Sequence, residues 1–350
     1  MKHLPIFLFL AFILFPLALH AQSDGWIISH NYGISTPNNF NMPEQTHAVF
    51  GIEVGWRHRT QGDQWWMQRR HYPSFGLKGS ALYTIDGIAG TRFGLAGYVW
   101  TPVNSRLSTH WGLGLSCYTK SFYFTRDTAN FYITTLLNCL IDIGLDYRLS
   151  PTTSLAFSFM HASNGKTNYP NKGLNYLQFS LEYDLTPVAP NEQSTPTLAM
   201  PSFRRHELGF TLSGAIAHED GYDGRLYPCY DASLNYEYYL NPIIALGATL
   251  DLWFNGSHWD NIRSGEYNWN MPVYTSALAS IEGFWGPISL KGGVGSVLFA
   301  PQEARILRLY ERAGVYYNWS GNYVGVAINA HGGRAEFIEW SYGHRFKLKA

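Results

Sequence analysis

Long apolar runs are missing from this sequence beyond Leu19, and with them any helix of the ~20 apolar residues needed to cross a bilayer. Charge is scarce as well: 14% of the 350 residues are Asp, Glu, Lys or Arg, against roughly 25% in an ordinary soluble domain. The 25 basic residues balance the 25 acidic ones, so the chain lacks the basic surplus that a nucleic-acid partner would demand. Cysteine is limited to Cys117, Cys139 and Cys229, at spacings that match no metal-binding pattern. No Gly-rich phosphate loop occurs. The pair His258 and Asp260 has no third ligand at a recognisable spacing, so no metal or other cofactor is expected.

What remains is aromatic and glycine-rich, with 16% Phe, Trp and Tyr, 34 Gly and 24 Tyr. Weak hydropathy beside abundant aromatics is the signature of strands whose lipid-facing and lumen-facing residues alternate, so that the average cancels. The first residues supply a route to a membrane. Lys2, the apolar stretch Leu4 to Leu19 and the small Ala21 form a secretory signal peptide over residues 1–21. An exported chain without a spanning helix can still cross a membrane as a closed barrel. The expected fold is therefore an all-β, antiparallel transmembrane barrel of the outer membrane.

Strand-like alternation runs over Trp26 to Tyr32, His47 to Arg57, His71 to Tyr83, Thr91 to Thr101, Leu107 to Phe122, Phe131 to Arg148, Thr153 to Ser163 and Asn175 to Thr186. Eight strands thus fit within residues 22–187, as in a small eight-stranded barrel. Residues 188–202 form a Pro-rich connector, and residues 203–350 hold about eight more runs, for a total of roughly 12 to 16 strands. The second half either completes one large barrel, with an aqueous lumen, or closes a second small one, with a filled lumen. Tight connections at Pro102 to Arg106 and Ser150 to Thr152 alternate with longer polar ones at Gly33 to Glu44, Tyr123 to Asn130 and Asn164 to Leu174. With a periplasmic N-terminus, the long ones fall outside. Cys117 and Cys139 lie in apolar rows of neighbouring strands, either as a disulfide or as two small lipid-facing hydrophobes. The tryptophans, Trp100 and Trp253 among them, read as interfacial girdle residues.

One hairpin departs from plain architecture. Leu155, Phe157, Phe159, His161 and Ser163 share a strand face, so an apolar row ends in a histidine and a serine. On the returning strand Asn175, Leu177, Phe179, Leu181 and Tyr183 share the corresponding face, while Gln178, Ser180, Glu182 and Asp184 take the other. One antiparallel register sets Leu155 against Leu181, Phe157 against Phe179, Phe159 against Leu177 and His161 against Asn175. Strand direction then puts His161 and Ser163 on the lipid side, level with the outer leaflet.

The run His161-Ala162-Ser163-Asn164-Gly165, the polar loop that follows it and the aromatic barrel around them resemble the outer-membrane lipid A 3-O-deacylase (acyloxyacyl hydrolase) family. The resemblance implies an eight-stranded barrel whose outer wall carries a Ser, His, Glu triad that removes the ester-linked acyl chain at position 3 of lipid A. Carried onto this chain, Ser163 is the nucleophile and His161 the general base, and Asn175 stands where the family has its acid. Asn164 and Gly165 are the candidate oxyanion donors. Lys166 is either a contact for lipid A phosphates or a residue of a solvated loop. The implied partner is lipopolysaccharide in the outer leaflet. Two other readings stand beside this one: a non-enzymatic, porin-like barrel, and a relative that kept the fold but lost the chemistry, for which the uncharged Asn175 speaks. Near the C-terminus, Val324 to Phe346 echoes the hairpin. There Gly333 stands at the serine position, and parity turns His331 toward the lumen, so this copy reads as architecture.

Overall fold

The computed structural model describes residues 24–37, 46–85, 87, 89–122, 130, 132–168, 172–186, 196–219, 224–258, 272–300, 309–332 and 334–348. The leader, most of the connector, Asp260 and Gly333 lie outside the described residues.

Sixteen strands close two barrels. The first is built from β1 (Asp24–Pro37), β2 (His47–Arg59), β3 (Ser74–Thr84), β4 (Thr91–Pro102), β5 (Leu107–Tyr118), β6 (Leu137–Arg148), β7 (Thr153–Ser163) and β8 (Leu174–Asp184). It closes where β1 pairs with both β2 and β8, with Tyr32 opposite Phe50 on one side and Phe179 on the other. The second comprises β9 (His206–His218), β10 (Leu226–Asn241), β11 (Ile244–Asn255), β12 (Val273–Trp285), β13 (Ile288–Phe299), β14 (Leu309–Trp319), β15 (Asn322–His331) and β16 (Arg334–Lys347). Here β9 closes the ring by pairing with β10 and β16. The choice left open by the sequence thus resolves as two small barrels.

Alternation dictates what each wall faces. Along β2, Phe50, Ile52 and Val54 are exposed, while Glu53 between them is buried. The interior of an eight-stranded barrel is narrow enough for side chains to fill, and a charge placed there must be paired. In the first barrel Lys78 bridges Glu53 (3.6 Å) and Glu182, Arg59 meets Asp184 (2.6 Å), and His110 meets Asp146 (2.8 Å). In the second, Arg312 sits among Asp231, Asp251 and Glu339 at 2.9–3.3 Å, and Arg345 among Glu237 and Glu282 at 2.8 Å. The cavity beside these residues holds about 20 Å³, room for little more than a water molecule.

Several expectations are corrected. β1 runs on through Pro37 instead of ending at Tyr32, because Ser35 still pairs with His47 and Pro37 with Leu174. The connection between β2 and β3 contains a short helix, α1 (Trp65–Arg69), whose Trp66 is buried with its ring 6.0 Å from that of Phe75. Trp100 and Trp253 are lumen residues instead of girdle residues: Arg57 lies 4.4 Å over the Trp100 ring, and Trp253 stacks on Tyr274 at 4.1 Å. The three cysteines are free thiols, which removes the disulfide alternative.

By its internal contacts the chain forms two compact units. The first takes residues 1–120, 139–162 and 174–198; the second takes 199–350 together with 121–138 and 163–173.

Candidate active site

The β7–β8 hairpin adopts the register expected from alternation. Leu155 stands opposite Leu181, Phe157 opposite Phe179, Phe159 opposite Leu177 and His161 opposite Asn175. The row faces outward, with Leu155 47%, Phe157 41% and Phe159 39% exposed. Phe157 and Phe179 reinforce the pairing with ring centroids 4.9 Å apart. At its outer end the row withdraws from the surface: His161 is half-buried and Ser163 is 4% exposed. Parity gave Ser163 the pattern of an exposed residue, whereas in the fold it is covered.

His161 and Asn175 form the polar end of this ladder. The imidazole donates through Nδ1 to Asn175 Oδ1 at 2.7 Å, since an amide oxygen can only accept. That contact selects one tautomer and leaves Nε2 as the nitrogen that carries a lone pair. The two acids nearest in sequence, Glu182 and Asp184, point into the lumen as parity requires, where Lys78, Arg57 and Arg59 hold them.

Ser163 ends β7, and the chain then turns sharply. Gly165 and Lys166 both have φ of +62°, a conformation that glycine adopts freely and lysine reluctantly. The turn is closed by Thr167, whose amide and hydroxyl both donate to Asn164 O, at 3.3 and 2.9 Å. A side chain at position 165 would also meet the Ile338 side chain, 2.4 Å from an ideal Cβ, so both the backbone conformation and the space favour glycine there. The Gly165 amide donates to Ser163 Oγ at 3.4 Å. The Asn164 side-chain amide is directed elsewhere, to Thr134 Oγ1 at 2.6 Å and Asn168 O at 3.4 Å. Lys166 is paired with Glu336, with Nζ 3.2 Å from Oε1, and its carbonyl accepts from the His218 amide at 2.8 Å.

The remaining candidates have structural partners. His258 meets Tyr274 through Nδ1 (2.6 Å) and Glu336 through Nε2 (3.3 Å). His331 lies in the lumen, as its parity predicted, with its ring 6.0 Å from both Trp253 and Tyr310. Among the described residues no group of His, Cys, Asp and Glu could hold a metal ion. Two constellations escaped sequence reading: His110 with Asp142 and Asp146 in the first lumen, and Glu336 with Lys166 and His258. The first was legible in part, because its members share the polar parity of their strands. The second joins residues 170 positions apart, and no local pattern signals it.

Residues 50–184 match the family model described as lipid A 3-O-deacylase (PagL), and residues 206–348 match the one described as acyloxyacyl hydrolase, C-terminal domain. Among solved structures, the chain is similar to the outer membrane enzyme PagL at 15% identity and a TM-score of 0.34, over 45% of this chain and 97% of that one. It is similar to a de novo designed transmembrane β-barrel at 13% identity and a TM-score of 0.28, over 46% and 95%. It is also similar to a mutant of the Rh. blastica porin at 13% identity and a TM-score of 0.21, over 92% and 100%. No match was found among curated proteins.

Proposed function

Because the chain belongs to the outer-membrane lipid A 3-O-deacylase (acyloxyacyl hydrolase) family, we propose that it hydrolyses the 3-O-linked acyl ester of lipid A in the outer leaflet, with Ser163 as nucleophile, His161 as general base and Asn175 as the group that orients the imidazole. The observation that carries this reading is the 2.7 Å contact from His161 Nδ1 to Asn175 Oδ1, at the end of an outward-facing apolar row.

The chemistry follows from that tautomer. Residues two apart on a strand have Cα atoms roughly 6.6 Å apart, within reach of an imidazole leaning toward a hydroxyl. His161 Nε2 takes the Ser163 proton as Oγ attacks the ester carbonyl, and a backbone amide in the turn, that of Gly165 foremost, faces the oxyanion. Collapse of the tetrahedral intermediate breaks the bond to the sugar oxygen, which leaves with the proton from His161. Water then enters by the same base, and the fatty acid departs from Ser163. Leu155, Phe157 and Phe159, exposed along β7, offer the acyl chain an apolar track.

Asn175 bears on both the competence and the limit proposed for such a site. Replacing the triad acid by asparagine in a serine protease costs about 10⁴ in rate, largely because the wrong tautomer results. In this chain the amide oxygen lies 2.7 Å from Nδ1, which supports the productive tautomer but supplies no charge to stabilise imidazolium. The uncharged partner and the covered serine together support a second reading, a relative with lapsed chemistry. Expression of the chain and of Ser163→Ala in a Gram-negative host, followed by mass analysis of lipid A, separates the two. Loss of one hydroxyacyl chain with the parent alone supports the esterase; identical spectra support the lapsed relative.

A further inference from the structure

The segment 163–173 opens with the proposed nucleophile, yet it packs with the second compact unit. Within that unit its hold is specific. Glu336 on β16 receives Lys166 Nζ at 3.2 Å, Asn255 Nδ2 at 2.9 Å and His258 Nε2 at 3.3 Å, all at Oε1. Its partners are held in turn. Asn255 Oδ1 accepts from the Ser257 amide (3.0 Å), the Ser257 hydroxyl (2.7 Å) and Cys229 Sγ (3.3 Å), while His258 Nδ1 is tied to Tyr274 OH at 2.6 Å. The carboxylate is therefore fixed before Lys166 reaches it. Lys166 has the positive φ that an L residue adopts reluctantly, and it is clamped at both ends: the ammonium by Glu336 and the carbonyl by the His218 amide. Immediately before it, Gly165 lies against Ile338 of β16 and sends its amide to Ser163 Oγ.

We propose that Glu336 is a positioning residue for deacylation: by holding Lys166 it sets the Gly165–Lys166 turn, and with it the Gly165 amide beside Ser163. The inference rests on the assignment of Ser163 as nucleophile. It gives Lys166 an intramolecular role in place of a phosphate contact. It also gives β16 a part in catalysis, through Glu336.

The test uses the purified full chain in detergent, with lipid A in mixed micelles as substrate and heat-modifiable gel mobility as the check of folding. Glu336→Gln, Glu336→Ala and Lys166→Met each lower kcat by about tenfold to a hundredfold with KM unchanged, the scale expected of a misplaced catalytic group. The double variant Lys166→Met with Glu336→Gln is no slower than the slower single variant, because both act through one contact, and Lys166→Arg retains activity. A kcat within about twofold of the parent in Glu336→Gln and Glu336→Ala overturns the inference. So does a rise in KM at constant kcat for Lys166→Met, which would make Lys166 a substrate ligand, and so do additive losses in the double variant. Ser163→Ala, assayed in parallel, separates this failure from that of the underlying assignment: full activity there removes the nucleophile itself.

Discussion

The hairpins β7–β8 and β15–β16 look alike as strings, each with an outgoing strand, a histidine, small residues and a returning strand, yet their histidines end on opposite faces. On β7 the apolar residues and His161 share one parity, so the ring emerges at the end of an exposed row and meets Asn175. On β15 the histidine shares parity with Tyr323, Ala327 and Asn329, all buried, and it packs between Trp253 and Tyr310. A shift of one residue exchanges lipid for lumen. Similar local composition therefore says little about chemistry in a barrel, and the face decides it.

The sharpest way to break this contrast is to remove each histidine in turn. His161→Ala is expected to lower kcat by about 10³-fold or more, the scale of losing the base of a Ser-His pair. His331→Ala leaves kcat unchanged while weakening the packing of the second barrel. Steady-state rates on lipid A micelles, with folding followed by gel mobility, check both.

A second contrast sets the outward row against the lumen. Lys78→Met leaves Glu53 and Glu182 without the cation that bridges them, and breaking a buried pair of this kind costs about 3–5 kcal/mol. The urea midpoint of the folded barrel falls accordingly, while kcat of the molecules that remain folded does not change. A parent-like midpoint would show that Arg57, 3.5 Å from Glu182, suffices as its partner.

The smallest effect is expected at the orienting amide. Asn175→Ala removes one neutral hydrogen bond and lowers kcat by about tenfold, the equivalent of ~1.4 kcal/mol. Asn175→Asp supplies the missing charge and raises kcat above the parent. Full activity in Asn175→Ala would show that another group holds the imidazole.

Much of this architecture was legible because alternation is a local property. β7 runs over the residues that alternation marked out, and the His161–Asn175 pairing follows from parity together with one choice of register. The inward aim of Glu182, Asp184 and His331 was legible for the same reason. Features set by distant chain segments were not. The length of β1 depends on β8, 174 being the residue that pairs with Pro37. The burial of Trp100 and Trp253 depends on how narrow the barrel is, which strand count decides and composition does not. Ser163 has the parity of an exposed residue, but the turn that follows it belongs with β16, and no pattern within eleven residues of strand could report that.

The most direct measurement of the central claim is to treat the folded chain with an ester-mimicking fluorophosphonate probe and map the adduct by peptide mass spectrometry. A single adduct on Ser163, absent from His161→Ala and retained in His331→Ala, is the predicted result. Deacylation of lipid A by a chain in which Ser163 stays unmodified, or is replaced by alanine, would contradict it.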